Sequence, residues 1–535
     1  MKIADYLLQT LECCGVDTVF GNPGTTEIPL LRSFERRGRG RYVVALSEVA
    51  AVPMADGFAR ARRGLGVVNL HVAPGLGNGM GALYTAGIAR TPLLVLIGGQ
   101  DRRLLHTAPI LYGPLERMAG SVCKTVLRLD SEHDAAANVR NAMRAVLTPP
   151  FGPVALVCPP DLLEHEIDAI AVAVEPARLG GLGAACADDL AQRLCRARNP
   201  AFVAAEEVHW HDAAGALREL AEQLSAPVYV APYTGLLPVD AASSAFAGYL
   251  SPSFGSIGAR LVDHDLLVFA GGRTLRTTLY SPLDLPQDKI WLGDDPMLLA
   301  PAGEYAAAHL VDLRAAFTRI GAAVAERLPA QRPARRHRPE LMLPSATAGV
   351  FHPTAAVHAL AQAFPDAIVF DEAGLSTSDV RQSLTCNAGD YFTNGSGGIG
   401  WGLAAAVGGA IARDDRQVVA IIGDGSALYA SEALWSAAHQ GTRLLLVVLS
   451  NRRYATLNAA ATKLTGAAMK AFTLEPPVLD FSGLAALYGW EFVRARGQDE
   501  LDTTLRRFDG RVRHNTVFEL VFDPATVPVA AARHF

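Results

Sequence analysis

Short apolar runs alternate with amphipathic or alanine-rich segments along most of the chain. Strands of a parallel sheet are buried on both faces, so they are typically continuous apolar runs of about four to eight residues. Runs of this kind are YVVALSE (42–48), GVVNLHVA (66–73), PLLVLIGG (92–99), PVALVCPPD (153–161), QVVAIIGDGS (417–426), RLLLVVLSN (443–451) and TVFELVFDP (516–524). Helical segments are predicted between them, for example EVAAVPMADGFARARR (48–63). The alternation predicts an α/β protein built on doubly wound parallel sheets.

Two interruptions of this alternation divide the chain into three blocks. A Gly/Ala-rich connector near 179–186 ends the first block, and the segment 325–350 is rich in Pro and Arg and lacks periodicity. At 535 residues the chain is also too long for a single hydrophobic core. We therefore predict three doubly wound domains: an N-terminal domain at 1–180, a middle domain at 187–325, and a C-terminal domain at 351–535 after a linker at 326–350.

Composition and charge exclude several classes of function. Half of the residues are hydrophobic, 19% are charged, and the formal net charge is −5, so nothing favours a nucleic acid or an anionic membrane as partner. The seven cysteines form no CxxC pair, which argues against a disulfide framework and a thiolate metal site. The amino-terminal segment lacks the apolar core of a signal peptide, and no run of about eighteen apolar residues occurs. We expect a cytoplasmic protein with no membrane and no nucleic acid among its partners.

The segment VVAIIGDGSALY carries the strongest chemical signal in the sequence. A buried strand is predicted to end at Gly423, and Asp424, Gly425 and Ser426 follow directly before a helix. Glycines let a backbone approach a phosphate closely, and a helix amino terminus presents unpaired N–H groups. Asn451 follows the next predicted strand, 27 residues after Asp424. A charged and a neutral oxygen ligand at adjacent strand ends suit Mg²⁺ (or Ca²⁺) that is shared with a diphosphate.

A second polar group follows a strand end near the amino terminus, in FGNPGTTEIPLL (20–31). The segment 21–24 predicts a tight turn, a threonine is expected as helix N-cap, and Glu27 is expected in the first helical turn. Such turns are common in α/β proteins, so an ordinary crossover turn and a ligand-binding turn both remain open. Open α/β sheets bind ligands at the carboxyl ends of their strands, where this turn is expected.

These motifs resemble those of thiamine-diphosphate-dependent enzymes, and most of all those of the benzoylformate decarboxylase family. The resemblance is collinear over almost the whole chain and rests on FGNPGTTE, LSEVAAVPMADGFARA, NLHVAPGLGNGMGAL, GGIGWGLAAAVG and IIGDGSALYASEALWSAA. It implies a pyrimidine-binding N-terminal domain, a middle domain and a diphosphate-binding C-terminal domain, with thiamine diphosphate as cofactor. It also implies a homo-oligomer, at least a dimer and expected to be a tetramer, because these enzymes build each site from two subunits.

The resemblance assigns residues of the C-terminal domain to the charged end of the cofactor. Asp424, Asn451 and the main-chain carbonyl of Arg453 would hold the metal ion. The residues implied to face the diphosphate are Gly423, Gly425, Ser426, Gly374 and Leu375.

The resemblance also assigns residues to the heterocycles and the substrate. Glu48 would hydrogen-bond the aminopyrimidine ring nitrogen and promote its imino tautomer. The Gly397 carbonyl would accept from the pyrimidine amino group, and Ile399 would press the thiazolium ring towards the pyrimidine. Thr25 stands where the family has a serine that contacts the substrate carboxylate. His71 matches an active-site histidine, and its side chain suits proton transfer near neutral pH.

Three departures from the family pattern bear on the substrate. A second active-site histidine is expected in the middle domain, where this chain has Thr277 and Thr278; proton delivery then falls to His71, to water or to another residue such as His106. The small or polar residues expected to replace aromatic pocket residues, and to widen the pocket, are Thr393, Asn394 and Ala460. Arg452 and Arg453 replace small residues, and face either an anionic substrate or solvent.

The sequence favours non-oxidative decarboxylation of a 2-oxo acid, of the benzoylformate type, to an aldehyde and carbon dioxide. One alternative is a carboligase similar to acetolactate synthase, which would form a 2-hydroxyketone. Another is a relative that binds the cofactor but is catalytically impaired. The middle-domain segment AFVAAEEVHW lacks the glycines that a dinucleotide phosphate requires, so no FAD is expected.

Overall fold

The structure, a computed structural model, describes residues 1–272, 275–277, 285, 288–298, 305–328, 333, 335, 337–338, 341, 343–344 and 350–529. Within these ranges the strands form three six-stranded sheets, and every strand pair inside them is parallel. None of the helices in these ranges has both the length and the apolar character needed to cross a membrane. The predicted fold class, α/β with three doubly wound parallel sheets, is confirmed.

The N-terminal sheet has the strand order β2-β1-β3-β4-β6-β5. Its strands are β1 (Thr18–Gly21), β2 (Arg41–Val44), β3 (Gly66–Leu70), β4 (Leu93–Gly98), β5 (Thr125–Arg128) and β6 (Pro153–Cys158). The α-helices of this block are Ile3–Cys13, Ile28–Arg37, Glu48–Arg62, Val72–Ile88, Leu115–Ala119, Glu132–Leu147 and Pro160–Leu163, and the 3₁₀ turns are Thr25–Glu27 and Arg102–Thr107. The chain reverses its direction of winding between β1 and β3, which is the switch point where such sheets bind ligands.

The middle sheet has the order β12-β11-β10-β7-β8-β9, with its switch point between β7 and β10. Its strands are β7 (Pro200–Ala204), β8 (Val228–Val230), β9 (Phe246–Tyr249), β10 (Leu266–Ala270), β11 (Lys289–Gly293) and β12 (Ala307–Leu310). The described helices are Ala184–Arg196, Glu206–Trp210, Ala214–Leu224, Phe254–Leu261 and Leu313–Arg327, with a 3₁₀ turn at Pro296–Leu298. The last helix runs across the predicted boundary between 325 and 326, and the domain boundaries themselves stay a prediction.

The C-terminal sheet has the order β14-β13-β15-β16-β18-β17, with its switch point between β13 and β15. Its strands are β13 (Ile368–Glu372), β14 (Tyr391–Thr393), β15 (Val418–Gly423), β16 (Leu444–Ser450), β17 (Glu491–Ala495) and β18 (Thr516–Val521). The α-helices are Pro353–Ala363, Thr377–Ser383, Gly402–Ala412, Asp424–Ala427, Ala433–His439, Ala455–Thr465, Phe481–Leu487 and Gln498–Phe508, and the 3₁₀ turns are Gly374–Ser376 and Lys470–Phe472.

The helices Glu48–Arg62 and Gly402–Ala412 join the N-terminal and C-terminal sheets. Their backbones approach so closely that a Cβ on Gly57 would lie 2.0 Å from the Ala405 carbonyl oxygen. Beside this contact the fully buried Arg60 guanidinium donates to both carboxylate oxygens of Asp56, at 2.9 and 2.6 Å. The Trp401 indole N–H donates to the same carboxylate at 2.6 Å. The buried pair is thus neutralised and hydrogen-bonded, as a charge without solvent must be.

Candidate active site

Three loops of the C-terminal sheet meet at one edge because their strands are neighbours in register. Glu372 of β13 lies opposite Ile422 of β15, and Gly423 of β15 lies opposite Leu449 of β16. The loops that follow these strands are 373–376, 424–426 and 451–453. They lie beside the switch point between β13 and β15, the expected position of a ligand in such a sheet.

Asp424 organises this edge. Its Oδ1 accepts from the Gly425 N–H at 2.8 Å, and its Oδ2 accepts from the N–H groups of Asn451 and Arg452 at 3.0 and 2.6 Å. Arg452 has a φ of +59°, and this turn brings the N–H of Arg453 within 3.2 Å of Asn451 Oδ1. Burial raises the pKa of the Asp424 carboxyl, and the three N–H bonds oppose that rise. The two side-chain oxygens predicted as metal ligands are therefore tied into one backbone turn.

The backbone at this edge leaves no room for a side chain at Gly425. A Cβ on Gly425 would lie 2.5 Å from the Tyr454 ring, so only glycine fits there. Gly374 has a φ of +57° and is exposed, and Gly423, Leu375 and Ser426 are partly exposed around it. Carboxylate, amide and main-chain oxygens are the ligands that a hard divalent cation takes, and an amide oxygen has a second lone pair beyond the Arg453 bond. The donor set thus fits a metal ion together with a diphosphate.

Glu48 stands at the corresponding edge of the N-terminal sheet, as the first residue of its helix. It is buried, and the side chain of the preceding Ser47 accepts from the Ala50 N–H at 3.3 Å. The amide groups of Asn22 and Asn78 donate to the two carboxylate oxygens, at 3.4 and 3.2 Å. The carboxyl group is therefore oriented by neutral donors, with no cation bound to it in the described residues.

His71 lies at the same edge, directly after β3, and is paired with a buried carboxylate. Its Nδ1 is 2.8 Å from Glu27 Oε2 and 3.1 Å from the Thr26 hydroxyl, which itself donates to Glu27 Oε1 at 2.7 Å. A carboxylate only accepts, so Nδ1 carries the proton and Nε2 is left for a ligand. The next residue, Val72, has a φ of +41°, a strained conformation for a β-branched residue of the kind that clusters at functional sites.

The structure corrects the predicted cap in this segment. Thr25–Glu27 is a 3₁₀ turn ahead of the helix Ile28–Arg37, and no threonine side chain caps either element. Glu27 turns inward instead and accepts from the Gly24 N–H at 2.8 Å. Thr25 is exposed, as are Gly397 and Ile399 at the C-terminal edge.

The residues predicted to line the substrate pocket lie on several separate elements. Thr393 is buried in β14, where its hydroxyl donates to the Asp371 carbonyl at 2.9 Å. Asn394 accepts from the N–H and the hydroxyl of Ser396 at 3.0 and 2.8 Å. Ala460 is partly exposed on the helix Ala455–Thr465, and His106 is exposed in the turn Arg102–Thr107. Thr278 lies outside the described residues.

Some polar residues of the site escaped the sequence prediction. Asn22 and Asn78 hold Glu48, Glu27 pairs with His71, and Glu372 bonds the loop that contains Ile399. Their place at strand ends could have identified two of them, because Asn22 follows β1 and Glu372 ends β13, and both strands border switch points. Asn78 lies within the helix Val72–Ile88 and carries no such signal.

Comparison with protein families gives three matches along the chain. The model described as "Thiamine pyrophosphate enzyme, N-terminal TPP binding domain" matches residues 1–119. The corresponding central-domain model matches residues 187–331, and the C-terminal TPP binding domain matches residues 372–518. Thiamine pyrophosphate and thiamine diphosphate are the same compound, so both polar edges lie in segments that resemble binding domains for this cofactor.

Individual relatives resemble the chain over most of its length. Benzoylformate decarboxylase of Pseudomonas aeruginosa is 35% identical over 508 residues, which cover 92% of this chain and 93% of the relative. An acetolactate synthase large subunit of Parasynechococcus marenigrum is 25% identical, covering 94% of this chain and 84% of its own. The crystal structure of benzoylformate decarboxylase from Polynucleobacter necessarius superposes with a TM-score of 0.90 at 26% identity, covering 99% of this chain and 100% of that one.

Proposed function

Because the chain belongs to the thiamine pyrophosphate enzyme family, we propose that it decarboxylates a 2-oxo acid without oxidation. The products are an aldehyde and carbon dioxide, and the substrate is of the benzoylformate type. The observation that carries the proposal is the pair of acid–base groups at one sheet edge: Glu48 held by two amides, and His71 held by Glu27. A decarboxylase that ends in an aldehyde needs both a relay that activates the cofactor and a proton donor for the product.

The cofactor is thiamine diphosphate, and the proposed metal is Mg²⁺ or Ca²⁺. Asp424, Asn451 and the carbonyl of Arg453 would ligate the metal, while Ser426 and the exposed Gly374 would face the diphosphate. Bound thiamine diphosphate supplies the electron sink that makes loss of carbon dioxide from a 2-oxo acid possible. The chain supplies orientation, exclusion of water and proton transfer.

Glu48 acts as the proton relay to the pyrimidine. Its two amide partners orient the carboxyl group and bring no counter-charge, so it would donate or share a proton at the ring nitrogen. Its position at the amino end of a buried helix keeps the group rigid.

His71 delivers the proton that completes the aldehyde. Glu27 holds Nδ1, so Nε2 is aimed away from the pair and is left to face a ligand. This arrangement supports His71 as the donor in the absence of the middle-domain histidine that the family pattern leads one to expect. Thr25 would offer its hydroxyl to the substrate carboxylate.

The active form is proposed to be a homo-oligomer, which is at least a dimer and is expected to be a tetramer. Large apolar side chains beside both edges are half exposed in the single chain: Ile28 at 49%, Ile399 at 43% and Tyr429 at 51%. A second copy would cover them and bring the N-terminal edge of one subunit to the C-terminal edge of the other.

We propose that the middle domain holds no flavin. Its switch point between β7 and β10 is occupied by carboxylates: Glu206 accepts from Arg276 at 2.8 Å, and Glu207 accepts from the Gly272 N–H at 2.7 Å. Dinucleotide phosphates bind to free N–H groups, and buried carboxylates repel them. Reconstituted protein should show no flavin absorbance.

A carboligase that forms a 2-hydroxyketone is the second candidate. Ala460 on a partly exposed helix, and the similarity to an acetolactate synthase, favour it. An open pocket admits a second carbonyl compound that competes with protonation.

Product analysis with thiamine diphosphate, Mg²⁺ and a panel of 2-oxo acids, benzoylformate among them, tests the proposal. We expect carbon dioxide and aldehyde in equal amounts. Carbon dioxide with hydroxyketone alone would favour the carboligase. Cofactor binding without turnover of any acid in the panel would favour an impaired relative.

A further inference from the structure

Glu372 is a buried carboxylate at the centre of the C-terminal edge, between the loops that follow β13 and β15. It is the last residue of β13 and only 7% exposed. Its Oε1 accepts from the Gly400 N–H and its Oε2 from the Gly402 N–H, both at 2.6 Å. Each oxygen thus accepts one main-chain N–H group at a short distance.

These two bonds fix one end of the loop 396–400. Gly400 has a φ of +99°, and Gly402 opens the buried helix Gly402–Ala412, so Glu372 caps that helix from a neighbouring strand. The other end is held at Ser396, whose hydroxyl lies 2.8 Å from that of Thr85. Gly397 and Ile399 lie between the two anchors.

The same carboxylate also reaches the loop that follows β15. The Ser426 side chain contributes a further hydrogen bond to it, which opposes the effect of the burial that raises the pKa of Glu372 to about 7. One side chain therefore joins the loop that is expected to contact the heterocycles to the loop that is expected to contact the diphosphate.

We infer that Glu372 is a positioning residue, which sets the distance of Ile399 and the Gly397 carbonyl from the diphosphate loop. The inference rests on the proposed cofactor site and deepens it. Because the two rings of the cofactor must be pressed together for proton transfer, a small displacement of Ile399 slows the activation of the thiazolium carbon, while the diphosphate stays bound through Asp424 and Asn451.

Glu372→Gln is the sharpest variant, since a side-chain amide can accept from only one of the two N–H groups and turns its own NH₂ against the other. Asp265→Asn is the matched control. Asp265 likewise accepts two main-chain N–H groups, from Arg198 at 2.7 Å and Asn199 at 2.9 Å, but it precedes β10 at the opposite end of the middle sheet.

The experiment measures the rate of hydrogen–deuterium exchange at the thiazolium carbon of bound thiamine diphosphate, with Mg²⁺ and no substrate. We expect Glu372→Gln to slow exchange roughly 10- to 100-fold, with the dissociation constant of the cofactor changed by less than about threefold. Asp265→Asn should exchange at the wild-type rate. If Glu372→Gln does not fold, Glu372→Asp, which keeps the charge one methylene short, should show a smaller slowing of the same kind.

Wild-type exchange in Glu372→Gln would overturn the inference, even with a lower melting temperature, because Glu372 would then act on stability alone. A large loss of cofactor affinity without slower exchange would also overturn it, by placing Glu372 in diphosphate binding. If the wild-type protein itself bound no cofactor, the proposed function would fail first, and the assay separates that result from the others.

Discussion

At the scale of single residues, the two carboxylates on which the account depends are held in different ways. Glu48 is oriented by two side-chain amides, whereas Asp424 accepts three main-chain N–H groups. The first arrangement orients a carboxyl group through side chains alone, and the second ties a carboxyl group into a main-chain turn. These differences suit a relay and a metal ligand respectively.

Replacing Glu48 by Gln should reduce turnover at least about 100-fold, because an amide cannot take up the relayed proton. Cofactor binding should persist, since Gln keeps a similar volume beside Asn22 and Asn78. Steady-state kinetics and calorimetric titration with thiamine diphosphate measure the two quantities. Turnover near the wild-type rate would show that Glu48 is not the relay.

Replacing Asp424 by Ala should abolish metal-dependent cofactor binding. The change removes one proposed ligand and also the acceptor of the N–H groups that shape the turn at Asn451 and Arg452. The shift in melting temperature on adding thiamine diphosphate with Mg²⁺ measures this binding. An undiminished shift in the variant would contradict the proposed metal site.

The sequence predicts site residues that directly follow strands more readily than site residues whose partners are distant in the sequence. Asp424 and Asn451 could be predicted as site residues because each directly follows an apolar strand. The local pattern around Glu27 predicts only an acid in a first helical turn, and its burial against His71 depends on β1 and β3 being neighbours. Asn78 reaches Glu48 across 30 residues of sequence, a contact that local pattern does not contain.

At the scale of elements, the apolar pattern predicted the central strands but not several edge strands. β5 and β17 lie at sheet edges and are partly exposed, so their sequences TVLR and EFVRA mix charged and apolar residues. The close pairing of the helices Glu48–Arg62 and Gly402–Ala412 was also not predicted. It depends on glycines that the sequence alone does not distinguish from turn glycines.

Gly57→Ala tests that helix pairing. The added methyl would lie 2.0 Å from the Ala405 carbonyl oxygen, so the helices must separate, at a cost of roughly 1–3 kcal/mol in the free energy of unfolding. Activity should fall as well, because Glu48 begins the displaced helix. Gly321→Ala, in the helix Leu313–Arg327, is the control. Its added methyl would lie 3.8 Å from the Gln223 side chain, an ordinary contact distance, so the substitution should not lower the melting temperature. Equal melting temperatures for both variants would argue against tight pairing.

At the scale of the whole molecule, buried acids make stability depend on pH. Burial beside Asp294 raises the pKa of Glu207 from 4.5 to about 7. The folded protein therefore holds a proton that the unfolded chain releases, so stability falls as pH rises from about 4.5 to about 7 and the full penalty is present above that range. Glu207→Gln should flatten this part of the melting-temperature profile. The exposed Glu491→Gln is the control, and a wild-type slope in Glu207→Gln would contradict the assignment.

The central claim is that the N-terminal edge of one subunit and the C-terminal edge of another form a single thiamine diphosphate site. Coexpression of Glu48→Gln and Asp424→Ala chains with different affinity tags, followed by purification through both tags, isolates oligomers that contain both chains. Each site-sharing pair made of one chain of each kind would hold one site with both substitutions and one site with neither. The account predicts up to about half of the wild-type decarboxylase activity in these oligomers, although each parent keeps at most about a hundredth of it. Mixed oligomers no more active than their parents would contradict it.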